Sequence, residues 1–304
     1  MSFERVRRIV ALLLAVAMLS LVFAACSSDD EDESEDNSNA SEGGAPTVKY
    51  TPSGNEGQIT GTIALNGTAP APAPISMDAD AACAQNNPNP HTETVVAKDG
   101  KLANVFVYIK DGKTADGKTI TTLGWDVPAT DVVLDQHGCH YVPHVLGVMA
   151  GQKLKITNSD QTAHNVHPLP KSNPEWNQSQ PAGSAPLEKT FARPEVVVPV
   201  KCNQHPWMKA FIGVMRSPLY AVSAEDGHFT ITGVPPGTYT VAALHELYGE
   251  KTMQVTVGAK EVKTQDFSFD ASKPASAMLE PFGGALRVEP ALETPMPMQM
   301  PMKH

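Results

Sequence analysis

The fold and the chemistry of this chain both depend on residues 195–215, which read EVVVPVKCNQHPWMKAFIGVM. Two apolar, β-branched runs flank the short loop from Cys202 to Met208, so we expect two neighbouring strands joined by that loop. The loop holds a thiol, an imidazole and a thioether at Cys-x-x-His-x-x-Met spacing. Thiolate and thioether sulfur suit Cu(I), and imidazole accepts copper in either oxidation state. The stretch therefore predicts a copper site that includes His205.

A mononuclear copper site of this kind needs a second histidine from elsewhere in the chain. The sequence AHNVH at residues 163–167 follows a predicted strand at 153–157 and supplies one. The alternative is that the sulfur residues are ordinary core residues, since Cys and Met are often buried for packing alone. Four donors in this order between predicted strands argue against that alternative. The predicted ligands of one type 1 copper are His164, Cys202, His205 and Met208.

The order strand, His, long loop, strand, Cys-x-x-His-x-x-Met, strand resembles the cupredoxin family of blue-copper proteins, in particular its amicyanin-like and plastocyanin-like members. The resemblance is close over residues 145–215 and loose over 58–144. It implies a Greek-key β-sandwich that binds copper through those four residues. It also implies that Asn165 ties the two ligand loops together and that His167 is not a ligand.

The whole chain is predicted to be all-β, because Pro and Gly are plentiful and no long amphipathic helical pattern occurs. Short predicted strands fill residues 217–270, where DGHFTI and VPPGTYTV resemble the small β-sandwich called carboxypeptidase regulatory-like. The strand at 58–65 resembles the first strand of that module, so the copper domain is either inserted in the module or fused beside it. The joint pattern also resembles exported proteins labelled methylamine-utilisation-like. His245 and Glu246 are expected to be surface residues at a strand end.

The beginning of the chain is predicted to direct export. Three arginines precede an apolar run at residues 9–25, and small residues stand before Cys26, which resembles a bacterial lipobox with Cys26 as the lipidated residue. The alternative is an uncleaved membrane anchor of marginal length. Eight Asp/Glu and no Lys or Arg lie in residues 27–45, so much of the net charge of −10 belongs to a predicted spacer. The acidic balance disfavours nucleic acid as a partner.

These patterns divide the chain into five predicted segments. They are a lipoprotein signal peptide (1–25), a disordered acidic tether (26–56), a cupredoxin-like copper domain with extra N-terminal strands (57–216), a second β-sandwich (217–270) and a Pro/Met-rich tail (271–304).

Two cysteines remain once Cys26 and Cys202 are assigned. In an exported protein a Cys83–Cys139 disulfide is the economical interpretation. The alternative is metal binding by Cys139 with His137 and His140, and these histidines with His144 also supply enough donors for a second metal site.

Two functions are compatible with this site. One is single-electron transfer by a protein tethered outside the cytoplasm, with His205 reaching the surface beside Pro206 and Trp207, where an unidentified redox partner docks. The other is copper carriage or storage, in which thioethers of the tail capture Cu(I); the alternative for the tail is a plain low-complexity terminus. We expect no enzyme activity and no small-molecule substrate, since no catalytic triad, phosphate loop or paired carboxylates occur. The tail thioethers are Met296, Met298, Met300 and Met302.

Overall fold

β-strands are the main regular structure of residues 48–275, the part of the chain that the computed structural model describes. The helices in this part are α1 (Ala81–Asn86) and a 3-10 turn (Ile120–Thr122). The predicted all-β class is therefore confirmed. Neither helix in residues 48–275 has the length and apolar character needed to cross a bilayer. The predicted signal peptide, the lipidation site Cys26 and the Met-rich tail lie outside the described residues.

The strands are numbered in chain order. They are β1 (Val48–Lys49), β2 (Gly57–Asn66), β3 (Ala97–Lys98), β4 (Lys101–Leu102), β5 (Phe106–Thr114), β6 (Leu123–Gly124), β7 (Val132–His137), β8 (His140–Val142), β9 (Val145–Met149), β10 (Leu154–Asn158), β11 (His164–Pro168), β12 (Gln178–Gln180), β13 (Leu187–Lys189), β14 (Glu195–Lys201), β15 (Lys209–Met215), β16 (Tyr220–Val222), β17 (His228–Val234), β18 (Gly237–His245), β19 (Gly249–Val257), β20 (Val262–Thr264) and β21 (Phe267–Asp270).

One sandwich contains the predicted copper ligands. Its two sheets have the strand orders β13-β10-β7-β8 and β12-β11-β14-β15-β9. Both sheets contribute to one buried core, with Leu134 and Ile156 from the first sheet and Val200 and Ile212 from the second. The alternation of apolar residues along β10 reflects this burial of one sheet face.

A second sandwich is built from strands at both ends of the described chain. Its sheets have the order β16-β5-β18-β19 and the order β17-β2-β4-β3, with β20 and β21 also paired to β2. Strand pairing therefore connects residues on the two sides of the boundary predicted between 216 and 217. The strands next to the predicted copper ligands lie between the two halves of this sandwich in the sequence, which corresponds to the inserted arrangement. The domain limits themselves stay a prediction.

The two sandwiches pack against each other through β5 and β18 on one side and β9 and β15 on the other. Phe106 and Leu244 meet Phe211 and Met215 in this contact. β15 is buried on both faces, as is the first half of β5 (106–109), which explains why β15 reads as a continuous apolar run. Gly213 is required here, because a Cβ atom at this position would lie 2.2 Å from the Phe106 ring.

Residues 48–56 have a defined structure, contrary to the prediction. Residues 48–56 were assigned to the disordered tether, but β1 pairs with β6 and the Tyr50 ring packs against Trp125 with centroids 4.2 Å apart. The Tyr50 hydroxyl donates to Glu56, which also accepts from the backbone N–H of Ser53. The sequence of this segment does not reveal its order, because it is held by aromatic packing of Tyr50 against Trp125 and contains no long apolar run.

His245 and Glu246 are buried, so their predicted surface position is wrong. They are only 1% and 5% exposed, since the end of β18 turns into the space between the sandwiches. His144 Nε2 donates to Glu246 Oε1 at 2.5 Å, and His144 Nδ1 donates to the Lys209 carbonyl at 3.1 Å. Burial alone lowers the pKa of His144, but the Glu246 carboxylate outweighs burial and raises it. The pair is thus a buried tie between the two sandwiches.

Replacing Glu246 with Ala should destabilise the protein by about 3 kcal/mol or more, because a buried cation loses its partner. Urea unfolding at pH 6 is the measurement, since a raised histidine pKa contributes its full stability below the ordinary value of about 6.5. Glu225→Ala is the control, because Glu225 is exposed and should change stability by no more than about 0.5 kcal/mol. Equal midpoints for the two variants would contradict the tie.

Candidate metal centre

Strand pairing brings the two predicted ligand loops together. β14 ends at Lys201 and β15 begins at Lys209, so the Cys202–Met208 loop joins two antiparallel neighbours at one end of the sheet. β11, which begins at His164, pairs with β14 on the other side. Two backbone bonds hold the loop, from Cys202 N–H to the Met208 carbonyl at 3.3 Å and from Met208 N–H to the His205 carbonyl at 2.9 Å.

Three of the four predicted ligands form a tight group of donor atoms. His164 Nδ1 lies 2.9 Å from His205 Nδ1, and Cys202 Sγ lies 3.8 Å from His205 Nδ1. Their ligand atoms all lie within 4.8 Å of one another, and each residue is at most 5% exposed. Imidazole nitrogens bind a first-row metal at about 2.0–2.1 Å and can therefore lie up to about 4 Å apart around it. The donor set fits one metal ion, and Met208 is fully buried in the same core.

Both histidines turn their second nitrogen to a carboxylate. His164 Nε2 donates to Asp160 Oδ2 at 2.8 Å, and His205 Nε2 donates to Asp80 Oδ2 at 3.2 Å. A hydrogen bond of this kind fixes the tautomer and leaves the Nδ1 lone pair for a metal. Asp160 is itself held by the backbone N–H groups of Gly138 and Cys139.

Asn165 bridges the two ligand loops. Its Oδ1 accepts from Asn203 N–H at 2.7 Å and from Cys202 Sγ at 3.3 Å, while its Nδ2 donates to Asn177 Oδ1 at 2.7 Å. The structure thus places Asn165 where the resemblance put it. His167 lies outside the donor group, with its ring nitrogens against Asn203 and Glu175.

The electrostatics of the group favour a thiolate. Burial alone raises the pKa of Cys202, but hydrogen bonds from His164 and His205 outweigh it and lower the pKa to about 6. Burial alone lowers the pKa of His164, whereas the hydrogen bond to Asp160 and the Cys202 thiolate raise it to about 9. A metal cation would replace the proton between these residues, so metal binding releases protons.

The expected exposure of His205 is wrong, because a segment of the chain covers it. This cap segment, residues 73–92, contains α1 and is closed at its base by a bond from Ile75 N–H to the Pro90 carbonyl. A Cys83–Cys139 disulfide joins it to the loop after β7, and Cys83 Sγ lies 3.7 Å from His205 Nε2. The Pro- and Ala-rich sequence of this segment gives no sign of what it packs against.

The remaining predicted residues lie around this covered site. Pro206 is exposed and Trp207 is half-buried, with its ring centroid 5.1 Å from that of His205. Trp207 Nε1 donates to the Cys139 carbonyl at 3.1 Å. Pro206 and Trp207 thus remain accessible on the ligand loop, as do Asn203 and Gln204.

The alternative in which Cys139 binds a metal does not match the structure. Within residues 48–275, three donor groups are close enough for a metal, and all three contain His164, His205 or both. Two of them include Cys83 or Cys139, whose sulfur atoms are bonded to each other. His137, His140 and His144 belong to none of the three groups.

Sequence reasoning missed the two carboxylates. Asp160 stands four residues before His164, so its proximity could have been suggested by spacing. Asp80 gives no such signal, because it comes from a Pro- and Ala-rich segment far from every ligand in the sequence. Only the folded chain shows that the cap segment delivers it.

Comparison with known proteins adds little to this geometry. No protein-family model and no curated protein matches the chain. Similar solved structures include a copper-containing nitrite reductase from Thermus scotoductus (22% identity, 28% of this chain, 22% of that chain, TM-score 0.26). They also include a purple cupredoxin from Nitrosopumilus maritimus (21% identity, 28% and 100%, TM-score 0.25) and a Cu(I) structure of an amicyanin variant (19% identity, 36% and 98%, TM-score 0.25). The chain spans about a fifth of the nitrite reductase, and similarity at this level carries no conclusion about function.

The Cys202 thiol of the metal-free protein should titrate near pH 6 rather than near the ordinary value of about 8.5. Ultraviolet thiolate absorbance measures this in a Cys26→Ser background, since Cys202 is the free cysteine among the described residues. Asp160→Asn should raise the midpoint, because His164 then loses the carboxylate that favours its cationic form. Asp78→Asn, on the exposed face of the cap segment, should leave the midpoint unchanged. A midpoint at or above 8.5 in the parent would refute the thiolate assignment.

Proposed function

We propose that this chain is a blue-copper protein of the cupredoxin type that carries single electrons outside the cytoplasm. One observation supports this most directly: two imidazole nitrogens and one thiolate sulfur converge in a buried site at the end of a β-sandwich. Two His, one Cys and a weak axial Met are the donor set of blue-copper electron-transfer sites. We also propose, from the resemblance of its sequence, that the second sandwich is a carboxypeptidase regulatory-like module.

Each residue has a distinct task in this proposal. His164 and His205 offer Nδ1, Cys202 offers its thiolate, and Met208 is the expected axial thioether. Copper, when bound, supplies the one-electron Cu(II)/Cu(I) couple. Asn165 holds the thiolate loop against the His164 loop, so that the donors keep one arrangement in both oxidation states.

The closed surroundings of the site favour electron transfer over catalysis. A copper enzyme needs an open position for substrate, whereas the cap segment and its disulfide lie directly over His205. Electrons can pass through a covered ligand, but a substrate cannot reach one. We therefore propose no enzyme activity and no small-molecule substrate.

Partner contact is proposed at the exposed part of the ligand loop. The Trp207 ring lies against His205 and is half-buried, and Pro206 beside it is exposed. Redox encounters bury small interfaces, below about 1,200 Å², so this short stretch can serve as their centre. The partner would be another redox protein.

Location in the cell envelope is part of the same proposal. The Cys83–Cys139 disulfide supports an oxidising compartment, since disulfides persist mainly in exported proteins. The lipid anchor proposed at Cys26 and the copper-capturing role proposed for the tail rest on sequence alone.

Addition of Cu(II) to the purified metal-free protein should produce one intense visible charge-transfer band per chain and a reversible one-electron couple, because thiolate-to-copper charge transfer requires Cys202 as ligand. Cys202→Ser should abolish the band. Met253→Leu, an exposed methionine on β19, is the control and should leave it intact.

A copper carrier behaves differently in the same titration. It would bind Cu(I) without colour, release it readily to a chelator and lose capacity when residues 295–304 are deleted. That result, or a band that survives Cys202→Ser, would reject the electron-transfer proposal.

A further inference from the structure

We propose that Asp80 is a positioning residue for the copper centre, which fixes the His205 ring and shifts the copper couple towards Cu(II). This inference rests on the proposed function. The predicted ligand loops do not contain this residue, and nothing in their sequence points to it.

The contacts of Asp80 connect three parts of the site. Its Oδ2 accepts from His205 Nε2 at 3.2 Å and from Thr162 Oγ1 at 2.7 Å. Thr162 stands two residues before His164 in the chain. One carboxylate oxygen therefore contacts both the proposed copper ligand His205 and the loop that carries His164.

The other oxygen of Asp80 fixes its direction. Asp80 is the N-cap of α1, and Oδ1 accepts from the backbone N–H groups of Ala82 at 2.9 Å and Cys83 at 3.2 Å. With both oxygens bound, the carboxylate cannot rotate away from His205 without losing the helix cap. Its side chain is 21% exposed, so solvent screens it only in part.

The disulfide holds this arrangement in place. Cys83 follows Asp80 by three residues and is bonded to Cys139. The N–H of Cys139 donates to Asp160, the carboxylate that binds His164. The two carboxylates behind the two histidines are thus connected through one covalent link between the cap segment and the sandwich.

This position of Asp80 has a consequence for the metal. A carboxylate that accepts from the outer nitrogen of a ligand histidine raises the basicity of the inner nitrogen. It also places a negative charge near the metal, which favours the more highly charged Cu(II). Asp80 should therefore lower the reduction potential and raise Cu(II) affinity relative to a neutral partner.

Two substitutions separate the effect of the Asp80 charge from the effect of its hydrogen bonds. Asp80→Asn keeps the size and removes the charge, and its one acceptor oxygen can serve either the helix cap or His205; we expect a more positive midpoint potential with the charge-transfer band retained. Asp80→Ala removes both contacts, and we expect a loss of Cu(II) affinity of about tenfold or more. Asp78→Asn is the matched control, because Asp78 lies exposed on the same segment and its side chain accepts from Ser76 Oγ rather than from His205; it should match the parent in both measurements.

A readout without copper tests the position directly. Nitrogen NMR of the metal-free parent should show the His205 proton on Nε2 and the acceptor nitrogen at Nδ1, while Asp80→Ala should show a mixture of the two tautomers. The unfolding midpoint of each variant is measured as well. A general loss of structure would lower this midpoint and the Cu(II) affinity, but it would leave the Cu(II)/Cu(I) midpoint potential of Asp80→Asn at the parent value.

The outcomes distinguish the two proposals. If the parent gives no charge-transfer band with copper, the proposed function fails and this inference fails with it. If the parent is blue but folded Asp80→Asn keeps the parent potential and Asp80→Ala keeps the parent His205 tautomer, the role of Asp80 is refuted while the copper function stands.

Discussion

The site depends on two imidazole rings whose Nδ1 atoms face each other 2.9 Å apart in a space that excludes water. Such an arrangement is unfavourable unless something binds both the inner and the outer nitrogens. Carboxylates at Asp160 and Asp80 satisfy the outer nitrogens, and the Cys202 thiolate approaches the inner ones. Burial of these ionisable groups costs free energy when they are unpaired, so each member of the group requires the others. A copper ion between the inner nitrogens would complete the set.

The rest of the fold holds these groups at fixed positions. β14 and β15 fix the ends of the ligand loop, and β15 is buried on both faces because a second sandwich packs behind it. The cap segment closes the opposite side through α1 and the Cys83–Cys139 disulfide. The buried His144–Glu246 pair ties the second sandwich to the residue that follows Met208, since His144 also binds the Lys209 carbonyl. The second sandwich behind the site and the cap segment above it are thus both built from residues outside the strands next to the predicted copper ligands.

This enclosure shapes the proposed function. The cap segment covers His205, so electron exchange is expected at Trp207 and Pro206 rather than at the edge of the His205 ring. The same cover hinders release of copper, which favours an electron carrier over a delivery protein. A carboxylate hydrogen-bonded to each histidine favours Cu(II). We therefore expect the reduction potential of the protein to be low for a copper centre of this kind.

The sequence alone determined the β class and identified His164, Cys202 and His205, which meet in one buried donor group. Those features follow from local patterns: alternating or continuous apolar runs, and donors spaced within one short loop. The order of residues 48–56 was missed because aromatic packing, and no apolar run, holds them in place. The burial of His245 and Glu246 was missed because nothing local shows that two sandwiches meet there. Only the tertiary structure decided that His205 is covered and that Asp80 binds it. A contact between residues 125 positions apart is set by how strands pair and how a disulfide folds a loop back, and no short stretch of sequence encodes that.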